Sequence, residues 1–122
     1  MLDHLREAMG RYAAPPHLLT TGADGRPHAT ATTVVWDGDT LVLEAGRRSL
    51  ANLAHSPRVA LLWSPSVPGE YSLVIDAELA APLDGDRATV SLAVTRGVLH
   101  RPATPAGPRN PACGSDCVPL YG

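Results

Sequence analysis

The sequence predicts a small, mostly antiparallel β-barrel of six strands with two short helices, and three observations lead to this fold class. Two Asp-Gly pairs, Asp24-Gly25 and Asp37-Gly38, separate runs of strand-forming residues, and such pairs supply the positive φ that tight hairpin turns need. Residues 58–64 (RVALLWS) form a nearly unbroken apolar run, which is typical of a central strand. Hydrophobic residues make up 44% of the 122-residue chain, which is enough for one core without metals or a disulfide framework.

Two short amphipathic helices are predicted, one near the N-terminus and one in the middle of the chain. The first carries an apolar stripe at helical spacing, made of Leu2, Leu5, Met9 and Tyr12. The Pro15-Pro16 pair ends this helix. The second helix follows Gly46, can be capped by Ser49 and stops at Pro57. Its apolar face is made of Leu50, Leu53 and Ala54.

The predicted strands lie near residues 17–22, 27–36, 40–45, 58–64, 71–81 and 87–100. The first three form a meander through the two Asp-Gly turns, and the last has a break at Gly97. From Arg101 onward the periodicity is lost, and this segment holds five of the twelve prolines. We therefore expect a barrel domain over residues 1–100 and a Pro-rich, irregular C-terminal tail over residues 101–122.

Charge and composition exclude several classes of protein. All ten basic residues are Arg, and the absence of Lys removes Schiff-base chemistry and the phosphate-loop motif. A net charge of −2 offers no basic surface to nucleic acid. No apolar run approaches the roughly 20 residues of a membrane helix, and the N-terminus lacks the apolar segment of a signal peptide. We expect a cytoplasmic protein that binds neither nucleic acid nor membrane.

Neither the histidines nor the cysteines predict a metal site. The five His are scattered along the chain, without metal-ligand spacing, at positions 4, 17, 28, 55 and 100. Cys113 and Cys117 are too few to close a zinc site. A disulfide in the tail or two free thiols is the main interpretation, with metal binding or redox sensing as the alternative. No side chain is assigned as a catalytic acid, base or nucleophile.

The segment Gly46-Arg47-Arg48-Ser49 is the strongest candidate site, because it lies where a predicted strand leads into a helix. The first turn of a helix presents free N–H groups and the positive end of the dipole, and Arg forks complete a phosphate-binding arrangement. Hydroxyls on the neighbouring predicted hairpin come from Thr30, Thr32 and Thr33. A solvated Arg pair with a capping Ser explains the same residues equally well, so both interpretations stay open.

The order of these segments resembles the FMN-binding split-barrel family, the pyridoxamine 5′-phosphate oxidase-like proteins. The resemblance runs from about residue 15 to residue 100. Its most specific part extends from Asp37-Gly38 through Arg48 and Asn52-Leu53 to Ser56-Pro57-Arg58-Val59. It implies a six-stranded antiparallel split β-barrel that forms a homodimer, with a flavin in each of two clefts between the subunits.

The resemblance also implies which residues contact the cofactor. Family members hold the phosphate with a basic pair after the third strand. Arg48 lies at the first basic position, Ser49 stands at the second, where Lys is usual, and Arg47 can partly compensate. The threonines lie on the strand that contacts the flavin ring and ribityl chain. The predicted cofactor-binding residues are Thr30, Thr32, Thr33, Arg47, Arg48, Ser49 and Asn52.

The predicted function is that of an oxidoreductase that binds FMN, or alternatively F-420 or haem, and acts on a small molecule. Nothing in the tail matches the basic and aromatic residues with which true pyridoxamine phosphate oxidases grip their substrate, so that enzyme is not expected. The alternatives are a carrier, sensor or stress protein that binds FMN or haem without turnover, and a split barrel that has lost its cofactor. The cofactor would supply the redox chemistry and the protein its position and electrostatics.

Overall fold

The computed structural model describes residues 2–102, 107 and 114–122, which form two helices and eight strands. The helices are α1 (Asp3–Met9) and α2 (Arg47–His55). The strands, in chain order, are β1 (His17–Thr21), β2 (Pro27–Ala31), β3 (Val34–Asp37), β4 (Thr40–Glu44), β5 (Arg58–Trp63), β6 (Ser72–Leu79), β7 (Thr89–Arg101) and β8 (Asp116–Tyr121). In this described part of the chain, no helix is long and apolar enough to cross a membrane.

The strands form one curled antiparallel sheet in the order β2-β1-β5-β6-β7-β4-β3, and β8 also pairs with β7. The long strand β7 carries β6 on one edge, while β4 and β8 pair with its first and second halves. The fold is thus the mostly β, antiparallel split barrel that the sequence predicts. The predicted number of six strands is wrong, because the described residues form eight.

One of the two additional strands arises because the predicted strand 27–36 bends at Thr32-Thr33. Before the bend β2 pairs with β1, and after it β3 pairs with β4, so the two halves lie at opposite ends of the sheet order. Two hydrogen bonds hold the bend: the Thr32 N–H donates to Pro16 O at 3.0 Å, and its Oγ1 donates to Glu44 O at 3.4 Å. The covalent chain therefore closes the barrel at this corner.

The other additional strand, β8, lies in the segment that the sequence predicts to be irregular. Asp116–Tyr121 pairs with the second half of β7, with Leu99 opposite Val118 and His100 opposite Cys117. The register shifts between Gly97 and Val98, beside Pro119, which a strand at a sheet edge can accommodate. Residues 103–106 and 108–113 lie outside the described residues, and the division into a domain and a tail stays a prediction.

The core is aliphatic, as the absence of Phe requires. Inward-facing side chains of the strands are fully buried, namely Leu18, Leu41, Leu43, Leu61, Leu73, Ile75, Val90 and Leu92. The helices add Leu5 from α1 and Leu53 from α2, and Trp63 is the large aromatic residue of this cluster. Alternation along each strand therefore decides which residues fill the barrel.

Gly97 does not break the last predicted strand, because β7 continues through it to Arg101. A Cβ atom at this position would lie only 2.2 Å from Cδ2 of Leu5. The missing side chain therefore lets α1 pack directly onto β7, and this close approach explains the glycine.

Candidate functional site

The N-terminal turn of α2 follows β4 directly, through Ala45 and Gly46. Gly46 is the capping residue, with φ −74° and ψ 174°, and no side chain caps the helix. The prediction that Ser49 caps α2 is therefore wrong, because Ser49 is the third residue of the helix. The first intrahelical bond runs from the Leu50 N–H to Gly46 O at 2.9 Å. The N–H groups of residues 47–49 precede it and have no partner within the helix.

Arg47 and Arg48 project from this turn, and both are exposed. In the described ranges neither guanidinium lies within 4.0 Å of a carboxylate. The arginines that do have such a partner are Arg6, Arg11, Arg26, Arg87, Arg96 and Arg101. The helix start thus holds two positive charges that form no ion pair with the described acidic residues.

Ser49 is 1% exposed, and its Oγ has no hydrogen-bond partner among the described residues. A buried hydroxyl without a partner is unfavourable, since it gives up its bonds to water and gains none. The first-turn N–H groups and the two exposed guanidinium groups can donate several hydrogen bonds, and the buried Ser49 hydroxyl belongs to the same turn. Such a set of donors fits a phosphate, even though Ser49 stands where the resemblance implies Lys.

Asn52 lies one helical turn after Ser49 and is 6% exposed. Its Nδ2 donates to Oγ1 of Thr20 on β1 at 3.0 Å, and Thr20 is 2% exposed. A Cβ atom on Gly22 would come within 3.2 Å of the Asn52 Oδ1. Asn52 therefore fastens α2 to β1 and lies beside the turn that follows it, and cofactor contact by Asn52 stays a prediction.

The three predicted threonines lie at and before the barrel corner. Thr30 is opposite Leu18 in the β1–β2 register, so it faces the same side of the sheet as Leu18 and Thr20. This is the side on which α2 packs through Asn52. Thr32 reaches Glu44 O, two residues before the Gly46 cap, and Thr33 is exposed. Thr30 and Thr32 thus lie on the α2 side of the sheet, and Thr32 contacts the strand that leads into the arginine turn.

Two cavities lie away from this turn. A cleft of about 550 Å³ is lined by residues of β1, β5, β6 and β7, including Arg58 and Glu78. Neither of these two side chains has an ion-pair partner within the described part of the chain. A second cavity of about 390 Å³ lies between the segment after α1 and the β5–β6 loop. The predicted cofactor-binding residues line neither cavity.

A partly buried polar cluster joins the residue before β6 to β7 and β8, and sequence reasoning missed it. Tyr71 Oη donates to Asp116 Oδ2 at 2.9 Å, and Arg101 Nε donates to the same oxygen at 2.5 Å. The Arg101 guanidinium also lies 4.3 Å from the centre of the Tyr71 ring. The signal in the sequence is weak, because Asp116 lies in a Pro-rich segment and 45 residues separate it from Tyr71.

The cluster shifts the pKa of each of its members. Burial alone would raise the pKa of Asp116, but hydrogen bonds from Arg101 and Tyr71 and the Arg101 charge outweigh it, and the pKa is lowered. The pKa of Tyr71 is raised, first by its hydrogen bond to Asp116 and then by burial. The pKa of Arg101 is raised mainly by its hydrogen bond to Asp116. Asp116 is therefore held as a carboxylate by two donors.

Among the described residues, Cys117 and the acidic side chains do not form a metal site. Cys117 is disulfide-bonded, and its Sγ lies 3.3 Å from Nδ1 of His100. Cys113 lies outside the described residues. Across residues 2–102, 107 and 114–122, no group of three or more His, Cys, Asp and Glu side chains is arranged to hold a metal ion.

Comparison with known proteins finds relatives in mycobacteria. No protein-family model matches the chain. The uncharacterized proteins Mb0449c of Mycobacterium bovis and MT0457 of Mycobacterium tuberculosis are each 37% identical to it over 117 residues. Each alignment covers 84% of this chain and 82% of the relative.

Solved structures share its fold at low sequence identity. An F420 reductase matches with a TM-score of 0.60 and 21% identity, over 75% of this chain and 94% of that one. HutZ, the heme storage protein from Vibrio cholerae, matches with a TM-score of 0.52 and 13% identity, over 77% and 89%. A third structure matches with a TM-score of 0.57 and 18% identity, over 97% and 93%. These similarities establish the fold alone.

Proposed function

This chain belongs to the same family as the uncharacterized mycobacterial proteins Mb0449c and MT0457, and we propose that it binds a phosphate-bearing flavin-type cofactor at the N-terminal turn of α2. With that cofactor bound, it acts as an oxidoreductase on a small molecule, and it is not a pyridoxamine phosphate oxidase. The split-barrel fold is compatible with this function but hosts others, so the proposal rests on the site.

One observation carries the proposal: among the described residues, the side-chain donors of this turn have no hydrogen-bond or ion-pair partner. The Ser49 hydroxyl is buried without a hydrogen bond, and the described chain places no carboxylate within 4.0 Å of Arg47 or Arg48. A solvated Arg pair explains the exposed guanidinium groups but leaves the buried hydroxyl unexplained. A bound phosphate explains both, because it accepts from all of these donors.

Each residue near the turn has a role in this proposal. Arg48 and Arg47 bind the phosphate with charge-assisted hydrogen bonds, and the Ser49 hydroxyl donates a further hydrogen bond to it. The bond from Asn52 to Thr20 fixes the direction in which the helix start points. Thr30, Thr32 and Thr33 offer hydroxyls to the remainder of the cofactor. When bound, the cofactor supplies hydride or electron transfer, and the chain supplies its position.

FMN is the proposed cofactor, with F-420 and haem as alternatives. The fold neighbour named as an F420 reductase supports the deazaflavin alternative, and HutZ supports haem. The arginine turn favours FMN or F-420, because both carry a phosphate, whereas haem carries carboxylates. The absorption spectrum of the purified protein distinguishes the three, since flavin, deazaflavin and haem absorb at different wavelengths.

A homodimer is proposed as the working assembly, as the resemblance to the split-barrel family implies. Closed two-fold dimers are the commonest assemblies of soluble proteins. Light scattering should then give twice the 12.8-kDa mass of the chain. A monomeric mass at micromolar concentration would contradict the dimer and therefore also a cleft that is shared between subunits.

Titration of variants with three ligands tests the phosphate site. Arg48→Ala removes a charged donor, and a hydrogen bond to a charged group contributes about 1.5–3 kcal/mol. Affinity for FMN or F-420 should therefore fall about ten- to more than a hundredfold. Arg47→Ala should reduce the affinity less than Arg48→Ala does, since Arg47 only partly compensates for the Lys that is usual at the position of Ser49.

Two controls belong to this titration. Riboflavin has no phosphate, so its affinity should change little in either variant. Arg87→Ala changes an exposed arginine that already pairs with Asp84, and it should leave all three ligands unaffected. Equal losses for the three ligands, or no loss for any of them, would mean that the arginine turn does not bind the phosphate.

A further inference from the structure

The 390 Å³ cavity at the end of α1 lies apart from the arginine turn, and what is inferred from it does not depend on the proposed cofactor. It lies between the segment after α1, the β5–β6 loop and the ends of β6 and β7. We call it the tyrosine pocket, because Tyr12 and Tyr71 both line it, together with Leu99 and Val67. Its volume is within the range of small-molecule sites, about 300–1,000 Å³.

The walls of the tyrosine pocket are fixed before any ligand arrives. Tyr12 Oη donates to the backbone oxygen of Tyr71 at 2.7 Å. The Tyr71 ring is held by Asp116, which accepts from its hydroxyl at 2.9 Å, and by Arg101, which lies 4.3 Å from the ring centre. The rings therefore keep their positions, and the pocket offers aromatic and aliphatic surface to a ligand at little cost in ordering.

The opening of the pocket includes an exposed apolar side chain. Val67 lies in the β5–β6 loop and is 57% exposed, as is Val35, whereas most large hydrophobic residues of the described chain are buried or half-buried. The loop is shaped by a turn in which the Glu70 N–H donates to Val67 O at 3.2 Å. The turn contains Gly69 with φ 89°, a conformation that favours glycine. The same turn that exposes Val67 also places Glu70 at the opening.

The hydrogen-bonding groups of the pocket that remain available are mainly acceptors. Each tyrosine has already used its one O–H donor, so each phenol oxygen can only accept. Within the described chain Glu70 has no ion-pair partner, whereas Arg11 pairs with Glu7 at 3.2 Å. Hydroxyls of the lining serines can donate or accept. Glu70 is therefore a carboxylate of the pocket with no cation within 4.0 Å among the described residues, and the Arg101 charge acts on it only from a longer distance.

From this chemistry we propose that the tyrosine pocket binds a small primary amine carried on an aromatic body, that is, an arylalkylamine. The aromatic body packs against Tyr12, Tyr71 and Leu99. The ammonium group donates to Glu70 and to a phenol oxygen, and it is also attracted by aromatic ring faces. A carboxylate ligand of the same shape meets the Glu70 charge and binds more weakly than the amine.

Three probes of one shape test this specificity: 2-phenylethylamine, 2-phenylethanol and 3-phenylpropionate. Each is titrated into the full-length ¹⁵N-labelled protein, and backbone amide shifts are followed. The amine should perturb the amides of Ser64, Ser66, Val67, Gly69, Glu70 and Tyr71, with a Kd on the order of 1 mM, as expected for so small a ligand. The alcohol should bind more weakly, and the carboxylate should not saturate the same amides.

Two pairs of variants separate charge from shape. Glu70→Gln should weaken the amine about two- to fivefold, since an exposed ion pair contributes little, and should leave the alcohol unchanged. Glu78→Gln, a matched change in the other cleft, should affect neither probe. Ala13→Trp should block all binding by filling the pocket, whereas Ala81→Trp, at an exposed position outside it, should not. An unchanged amide spectrum away from the substitution establishes that each variant is folded.

Some results would overturn the proposal. The proposed ligand class would be wrong if the carboxylate bound saturably at the same amides. It would also be wrong if the amine and the alcohol bound with equal affinity. The amine would not bind in the tyrosine pocket if the shifts it induces survived Ala13→Trp. The same would follow if those shifts fell outside the residues that line the pocket. An absence of shifts for all three probes would likewise contradict the proposed site.

Discussion

The side-chain amide of Asn52 donates to the hydroxyl of Thr20 at 3.0 Å, and this buried bond joins the middle of α2 to β1. Both residues are nearly inaccessible, with exposures of 6% and 2%. Ser49, whose hydroxyl has no partner in the described chain, lies one turn earlier on the same helix. The bond therefore holds the helix from which the candidate phosphate donors project.

A double-mutant cycle measures this bond. Asn52→Ala should destabilise the protein by about 1–3 kcal/mol, because it leaves a buried hydroxyl unpaired. Thr20→Val removes that hydroxyl at nearly constant shape, so the double variant should lose less than the sum of the single variants. Urea denaturation should then give a coupling energy of about 1 kcal/mol. Strict additivity would mean that the two side chains act independently.

Ser49→Ala should have opposite effects on stability and on ligand binding. Removing a buried hydroxyl that lacks a partner should leave the stability of the free protein unchanged or raise it by up to about 1 kcal/mol. Affinity for FMN should fall, because one phosphate donor is lost, and affinity for riboflavin should not. Thermal unfolding without ligand and fluorescence titration measure the two effects. A variant that is less stable and binds FMN normally would contradict this role for Ser49.

Gly97→Ala should loosen α1 from the sheet. The added Cβ would lie 2.2 Å from the Leu5 side chain, and overpacking of this kind costs about 1–3 kcal/mol. Gly85→Ala is the matched control, since nothing lies within 4 Å of the corresponding Cβ. Denaturant unfolding compares the two variants. Combining Gly97→Ala with Leu5→Ala should give a smaller loss than the two changes separately, because the short side chain makes room for the methyl group.

The stabilising effect of Asp116 should depend on pH. Its pKa is lowered in the folded protein, so its contribution is present above the ordinary value of 3.8 and is lost as the pH falls through the folded value. Asp116→Asn should be less stable than the wild type at pH 7, and the difference should shrink below about pH 4. Unfolding by denaturant at several pH values measures it. A difference that is constant from pH 7 to pH 3 would mean that the charge of Asp116 is unimportant.

Turn-forming residues and hydrophobic patterns in the sequence predict the hairpins and the central strand correctly. The two predicted Asp-Gly turns are confirmed, with positive φ at Gly25 and Gly38 of 79° and 59°. The apolar run 58–64 is confirmed as a strand between two neighbours. The bend at Thr32-Thr33 was not predicted, because it results from a change of pairing partner and not from any turn-forming residue. Strand β8 was missed for a related reason, since contacts with distant strands stabilise it.

The candidate site was predictable in part. The sequence places Arg47 and Arg48 at a strand-to-helix junction, and the structure confirms that both lie in the first turn of α2. The burial of the Ser49 hydroxyl depends on how the helix packs, which spacing does not reveal. The engagement of Asn52 by Thr20 links residues 32 positions apart, so the sequence offered no local signal for it.

The closure of the barrel at Thr32-Thr33 has a kinetic consequence. The β1–β2 and β3–β4 hairpins form from neighbouring residues, but they join the rest of the sheet through pairings such as Leu18 with Leu61 and Leu41 with Leu92. These partners lie about forty to fifty residues apart, so the entropy of closing long loops must be overcome before the pairings stabilise the chain. Folding should therefore be slow relative to hairpin formation, and its transition state should contain the β5–β6–β7 meander onto which both hairpins dock.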